Sequence, residues 1–390
     1  MIKSIQVKNL LSFGSEGLNL KLEPLNVLIG PNGTGKSNFI EILSLLQASP
    51  TALAQPVRKG GGVSDWLHKG SIDPIAKVES VIDYPYGPEN IRHSFEFTSE
   101  GGRFTLIDER IENEKAIDNS RIPFFFYKYE NNHPILNVKL GKDRRGRRRT
   151  LKREDIDPEQ SILSQRKDPD TYPEITWLAN MYNKIKIYRE WTFGRYASPR
   201  LRQQADLPND RLLEDASNLG LVLKKIQMMG GEKDISDGLR ELYDGITGFD
   251  VAIDGGTVQI LLKEWSHYIP ATRLSDGTLR YLLLLAILCH PKPPSLICIE
   301  EPELGLHPDI LPYLAGLLVK ASKRTQLVVT THSEILIDSL SDTPESVLVC
   351  EKGVNGTSMR RCSSEELKGW LETYTLGSLW RKGEIGGNRW

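Results

Sequence analysis

The sequence predicts an α/β protein with an antiparallel β-subdomain and an α+β insertion, on three observations. A strand-like run at residues 25–29 enters a glycine-rich turn and continues into a helical pattern at 36–46. From 76 to 112, apolar and polar residues alternate with the period of strands that bury one face. After Gly255 and Gly256, short apolar runs alternate with helical patterns, the order that builds a sheet covered on both faces.

Taken in chain order, residues 2–7 alternate as a first strand and 25–29 form the second. In the antiparallel region Val78, Ser80 and Ile82 are followed by Phe95 and Phe97, then by Phe104 and Leu106, with Gly101 and Gly102 as a hairpin turn. A second hairpin is expected from 124–129 and 135–140 around Asn131 and Asn132. Helical spacing occupies 173–183 and 211–229, and 184–188 between them reads as a strand. There follow a strand at 258–262, a helix at 277–289, buried strands at 296–299 and 326–330, and a helix at 310–322. The expected division is 1–114 and 215–390 as two halves of one unit, with 115–214 inserted between them.

With 50 Lys plus Arg against 51 Asp plus Glu, the net charge is -1, so the whole chain is no polycation drawn to nucleic acid or membrane. Any such attraction must be local. The four cysteines form no CxxC pair, which excludes a disulfide framework and a zinc knuckle and leaves reduced core residues. The longest apolar run, at 282–289, is less than half of the about 20 residues that cross a bilayer, and the N-terminus reads as a strand. A cytoplasmic chain with no membrane partner is expected.

Residues 30–37, GPNGTGKS, fit G-x-x-x-x-G-K-[ST] between an apolar strand and an apolar helix. Glycines let backbone N–H groups turn around phosphate oxygens, the lysine reaches the terminal phosphates, and the serine hydroxyl ligates Mg²⁺. Gly30, Asn32, Gly33, Thr34, Gly35, Lys36, Ser37 and Asn38 are therefore the nucleotide-binding candidates. The strand at 296–299 ends in two acids, of which Glu300 is the metal-side candidate, with Ser37, and Glu301 the general base. Ser275, Asp276 and Gly277 open the helix at 277–289, where a helix N-terminus offers N–H groups to an anion. His332 follows the strand at 326–330.

These motifs, in this order, resemble the ATP-binding head of ABC-type ATPases of the RecF and SMC kind, over about residues 1–110 and 215–390. The resemblance implies an ABC-type P-loop NTPase head that uses ATP and Mg²⁺. It implies a homodimer or higher homo-oligomer, in which Ser275, Asp276 and Gly277 of one subunit contact the γ phosphate held by the other. His332 maps to the switch histidine, and 303–307 to the loop that crosses between subunits. Glu300 stands where the family has Asp, and the glutamine between loop and signature has no match; Gln47 and Gln55 follow no clear strand. Residues 274–280 and 299–308 look most like the short, head-only ATPases of bacterial anti-phage systems such as Septu and PARIS.

The segment between the halves lacks heptads, so long SMC-like arms are not expected. The related overcoming-lysogenization nucleases carry a Toprim domain, whereas the 58 residues after His332 hold no DxD. An ATP hydrolase without its own nuclease is expected, working through a separate effector protein in anti-phage defence. A RecF-like DNA repair ATPase is the alternative, and a transporter's nucleotide-binding subunit is disfavoured by the insertion. Within that insertion, residues 142–153 hold eight basic side chains and one acid, a local charge of +7. Arg144, Arg145, Arg147, Arg148 and Arg149 are candidate phosphate contacts to DNA or RNA. A face for an acidic partner and a solvated hairpin tip are the other readings.

Overall fold

The chain was analysed as a computed structural model, which describes residues 1–70, 74–117, 121–130, 133–138, 147–151 and 156–387. At its centre is a six-stranded sheet in the order Ile185–Tyr188, Leu296–Glu300, Gln326–Thr330, Leu25–Ile29, Val347–Gly353 and Gly356–Arg361. The first five strands are parallel and the last is an antiparallel edge. The phosphate-loop strand Leu25–Ile29 thus lies between two strands that come some 300 residues later.

Because successive strand residues point to opposite faces, the sheet serves two cores. Val27, Ile297, Ile299 and Val329 pack with the helices Leu219–Met228, Asp276–Leu288 and Leu311–Ser322 on one side. Leu28, Cys298, Val328 and Cys350 pack on the other, against the helices Lys36–Ala48 and Pro173–Asn183 and a second sheet. The four cysteines are buried and free, and burial pushes the Cys289 thiol to about 11 and Cys350 to about 12. Reduced core residues are what the structure contains.

The second sheet has eight strands, ordered Leu18–Lys21, Ile2–Lys8, Ala76–Ile82, Ile91–Glu100, Arg103–Asn113, Phe125–Glu130, His133–Val138 and Arg147–Thr150, all antiparallel. Gly101 and Gly102 make the expected tight turn, with φ of 60° and 80°. A third sheet of four short strands joins Gln203–Gln204, Thr257–Glu264 and Ile246–Asp254, with His267–Pro270 on Thr257–Glu264.

Residues 115–214 lend strands to all three sheets: Phe125–Glu130, His133–Val138 and Arg147–Thr150 extend the antiparallel one, Ile185–Tyr188 edges the parallel one and Gln203–Gln204 edges the third. A buried polar chain fastens this stretch to the antiparallel sheet: His93 Nε2 lies 2.9 Å from Glu109 Oε1, His93 Nδ1 3.1 Å from Tyr182 Oη, and Ser161 Oγ donates to Glu109. The helix expected at 211–229 begins only at Leu219. Asn218 breaks its start, its side chain accepting from Leu213 N and donating to Pro208 O and Arg211 O. Among the described residues no helix is long and apolar enough to cross a membrane.

Candidate nucleotide site

The phosphate loop closes where the strand Leu25–Ile29 leaves the sheet and the helix Lys36–Ala48 begins. Gly35 has φ of 95°, and a Cβ there would meet Thr357 Oγ1 at 2.5 Å and Ser12 Oγ at 2.6 Å. Only glycine fits that turn. Thr34 Oγ1 donates to Pro31 O at 2.8 Å, and Thr357 Oγ1 holds Thr34 O at 3.0 Å. Lys36 folds back over the loop, its Nζ donating to Gly30 O at 2.7 Å and Pro31 O at 3.1 Å. Burial lowers the Lys36 pKa, opposed by the carboxylates of Glu301, Glu300 and Glu303. Asn32, Gly33 and Ser37 are exposed, Asn38 is half-buried, and a Cβ at Gly33 would meet nothing within 4 Å. The loop is an open cradle with one buried cation, which fits an anionic ligand.

Glu300 ends its strand level with Thr330, and Glu301 turns out of the sheet at φ of 45°. The Glu301 N–H donates to Thr330 O at 3.0 Å, and its Oε1 lies 3.7 Å from His332 Nε2. Burial and then Lys36 hold the His332 pKa below the usual histidine range, against Glu301 and Glu303. Glu303 is tied to the histidine turn: Oε1 accepts from Thr331 Oγ1 at 2.6 Å and His332 N at 2.8 Å. Loop, acids and histidine therefore converge. Ser37 and Glu300 each offer a hard oxygen donor of the kind that Mg²⁺ takes.

Ser275 caps the helix Asp276–Leu288, its Oγ accepting from Thr278 N at 3.0 Å. Ser275 and Asp276 are exposed. Asp276 pairs with Arg200 and accepts from Gly194 N at 3.2 Å, so its charge is neutralised by the stretch that follows the strand Ile185–Tyr188. Gly277 packs on the acid loop, where a Cβ would meet Gly305 O at 2.6 Å. Three turns of helix are thereby registered to that loop, helped by Arg280, whose Nη1 donates to Leu304 O at 2.9 Å.

Sequence reading missed Arg189, Glu41, Arg200 and Arg280. Arg189 follows the edge strand beside the acids and pairs with Glu41 of the phosphate-loop helix. Neither belongs to a sequence motif, and only the sheet order brings Arg189 and Glu41 together. Gln47 and Gln55 line a cleft of about 780 Å³ beside that helix, and Gln47 Nε2 donates to Ile185 O at 3.0 Å. Arg147, Arg148 and Arg149 lie on the edge strand Arg147–Thr150, paired antiparallel with His133–Val138; Arg144 and Arg145 fall outside the described residues.

Residues 25–338 match the family described as AAA domain, putative AbiEii toxin, Type IV TA system. The chain belongs to that family. It is 23% identical over 361 residues to the OLD nuclease of Thermus scotoductus (strain ATCC 700910 / SA-01), covering 87% of this chain and 60% of that relative's length. Among solved structures it is similar to an Smc head bound to the C-winged helix domain of ScpA, with a TM-score of 0.59, 14% identity, and 94% and 99% of the two chains covered. The Smc head of Pyrococcus furiosus with an extended coiled coil, bound to the C-terminal domain of ScpA, gives 0.58 at 13% identity, covering 95% and 98%. The expected fold is thus the one found: an α/β head with the fold of the Smc heads, in a chain of the AAA-domain family.

Proposed function

We propose that this chain is a Mg²⁺-dependent ATP hydrolase that closes as an ATP-bridged homodimer and, closed, controls a separate nuclease-like effector in anti-phage defence. The observation that carries the chemistry is the convergence of Lys36, Glu301 and His332 on one loop mouth. Loop N–H groups receive the phosphates, and Lys36 exchanges the Gly30 and Pro31 carbonyls for phosphate oxygens. Ser37 and Glu300 would hold Mg²⁺, which supplies neutralising charge on the phosphate oxygens. Glu301 orients a water and accepts its proton, and neutral His332 donates to the γ phosphate. The exposed Ser275, with Gly277 beside it, reaches the nucleotide of the second subunit.

The test compares Lys36→Ala and Glu301→Gln. Lys36→Ala should abolish ATP binding, whereas Glu301→Gln should bind ATP, hydrolyse it at least about 100-fold more slowly, and double its mass in light scattering on ATP addition. Wild-type turnover by Glu301→Gln would refute the base, and an unchanged mass would refute the bridged dimer. We expect the wild-type chain by itself to leave DNA uncut with Mg²⁺ or Mn²⁺, cutting being the work of the effector. Cutting that is lost with a single acid of this chain would overturn that part. The RecF-like DNA repair reading draws its support from the basic edge strand Arg147–Thr150.

A further inference from the structure

A cation stands beside the acids that the phosphate-loop chemistry does not require. The edge strand Ile185–Tyr188 runs parallel to Leu296–Glu300 with Tyr188 opposite Ile299, so the next residue, Arg189, comes level with Glu300. Arg189 Nε lies 3.8 Å from Glu300 Oε2, and Nη1 is paired more closely with Glu41 Oε1. Its side chain is 22% exposed, and Nε and Nη2 are buried without a hydrogen-bond partner. Arginine side chains carry their positive charge as a delocalised guanidinium. The guanidinium is therefore a fixed positive charge, anchored on the phosphate-loop helix and turned towards the acid read as holding metal.

We infer that Arg189 is the resident counter-cation of the metal site, neutralising Glu300 before Mg²⁺ arrives and competing with it afterwards. This rests on the reading of Glu300 as the metal-side acid. Two positive charges cannot both lie close to one carboxylate without repelling each other, and partial burial weakens the screening between them. The anchor on Glu41 lets the guanidinium give up Glu300 without leaving the site. Two effects of opposite sign follow. Arg189 makes Mg²⁺ bind less tightly, and it lends positive charge to the phosphates of metal-free ATP.

The probe is binding of a fluorescent ATP analogue to the full chain, in EDTA and across a Mg²⁺ titration. Arg189→Gln should lower the half-saturating Mg²⁺ concentration and weaken binding in EDTA, each on the order of tenfold. Arg189→Lys, which keeps the charge, should stay close to wild type in both. Glu41→Gln frees the guanidinium to sit on Glu300 and should raise the Mg²⁺ midpoint, which keeps the test open if Arg189→Gln fails to fold. An Arg189→Gln midpoint that is unchanged or raised, while Glu300→Gln moves it, overturns the role of Arg189 and leaves the metal-side reading standing. A Glu300→Gln midpoint equal to wild type overturns that reading, and the inference with it.

Discussion

Glu301 carries a Cβ yet sits at φ of 45°, a region that costs a non-glycine residue about 1–3 kcal/mol. The turn takes its carboxylate out of the strand and up to His332. Glu301→Gly should therefore be more stable than Glu301→Ala by about 1 kcal/mol in urea unfolding, with hydrolysis lost in both. Equal stabilities would mean that the turn is unstrained. His332 supplies a second prediction. Its pKa is depressed in the fold, so between the folded value and the ordinary one, about 6.5, the unfolded chain binds more protons. Its contribution to stability is present above the ordinary value and lost as pH falls through the folded one. Wild type should lose stability faster than His332→Gln on acidification from about pH 7, and an NMR midpoint for His332 at or above 6.5 would contradict this.

Helix and loop meet at Gly277, where glycine is usually a weakness. In an exposed helix Gly→Ala gains up to about 1 kcal/mol. Here the new methyl would press on Gly305 O, so Gly277→Ala should lower the urea midpoint and slow hydrolysis, by displacing the loop that carries Glu301 and Glu303. A more stable, fully active variant would show that the loop yields freely. Elements with strong local periodicity were legible in the sequence: Pro173–Asn183 and Gln326–Thr330 have the bounds that the pattern predicts. The helix start at 211–218 was not, because Asn218 satisfies backbone groups that a helix would otherwise use and Ala216 takes φ of 57°. Neither was the sheet membership of Ile185–Tyr188, since strand pairing over a hundred residues leaves no local trace. The ion pair of Arg189 and Glu41 was hidden with it, whereas the phosphate loop and paired acids were read directly because their chemistry needs fixed spacings.

At the scale of the whole molecule, a net charge of -1 hides a basic edge. The strand Arg147–Thr150 ends the eight-stranded sheet, the position where charged residues also deter pairing with another chain. If it contacts nucleic acid through phosphates, Arg147, Arg148 and Arg149 exchanged together for Glu should weaken DNA or RNA binding equally across sequences and flatten its salt dependence by about three ions. ATP hydrolysis without nucleic acid should not change. Equal affinity and equal salt slope would assign the strand to edge protection alone.

The order of the parallel sheet also sets a timetable for synthesis. Leu25–Ile29 is buried at every position, yet both of its neighbours, Gln326–Thr330 and Val347–Gly353, are among the last strands made. At about 5–20 residues per second the ribosome takes roughly 15–60 s to deliver the first of them. Throughout that interval the nascent chain carries an apolar strand with unpaired N–H and C=O groups, while the antiparallel sheet beside it can already form from its own hairpins. The nucleotide pocket is consequently a late product of translation, and production of this protein should depend on chaperone capacity more than its stability once folded would indicate.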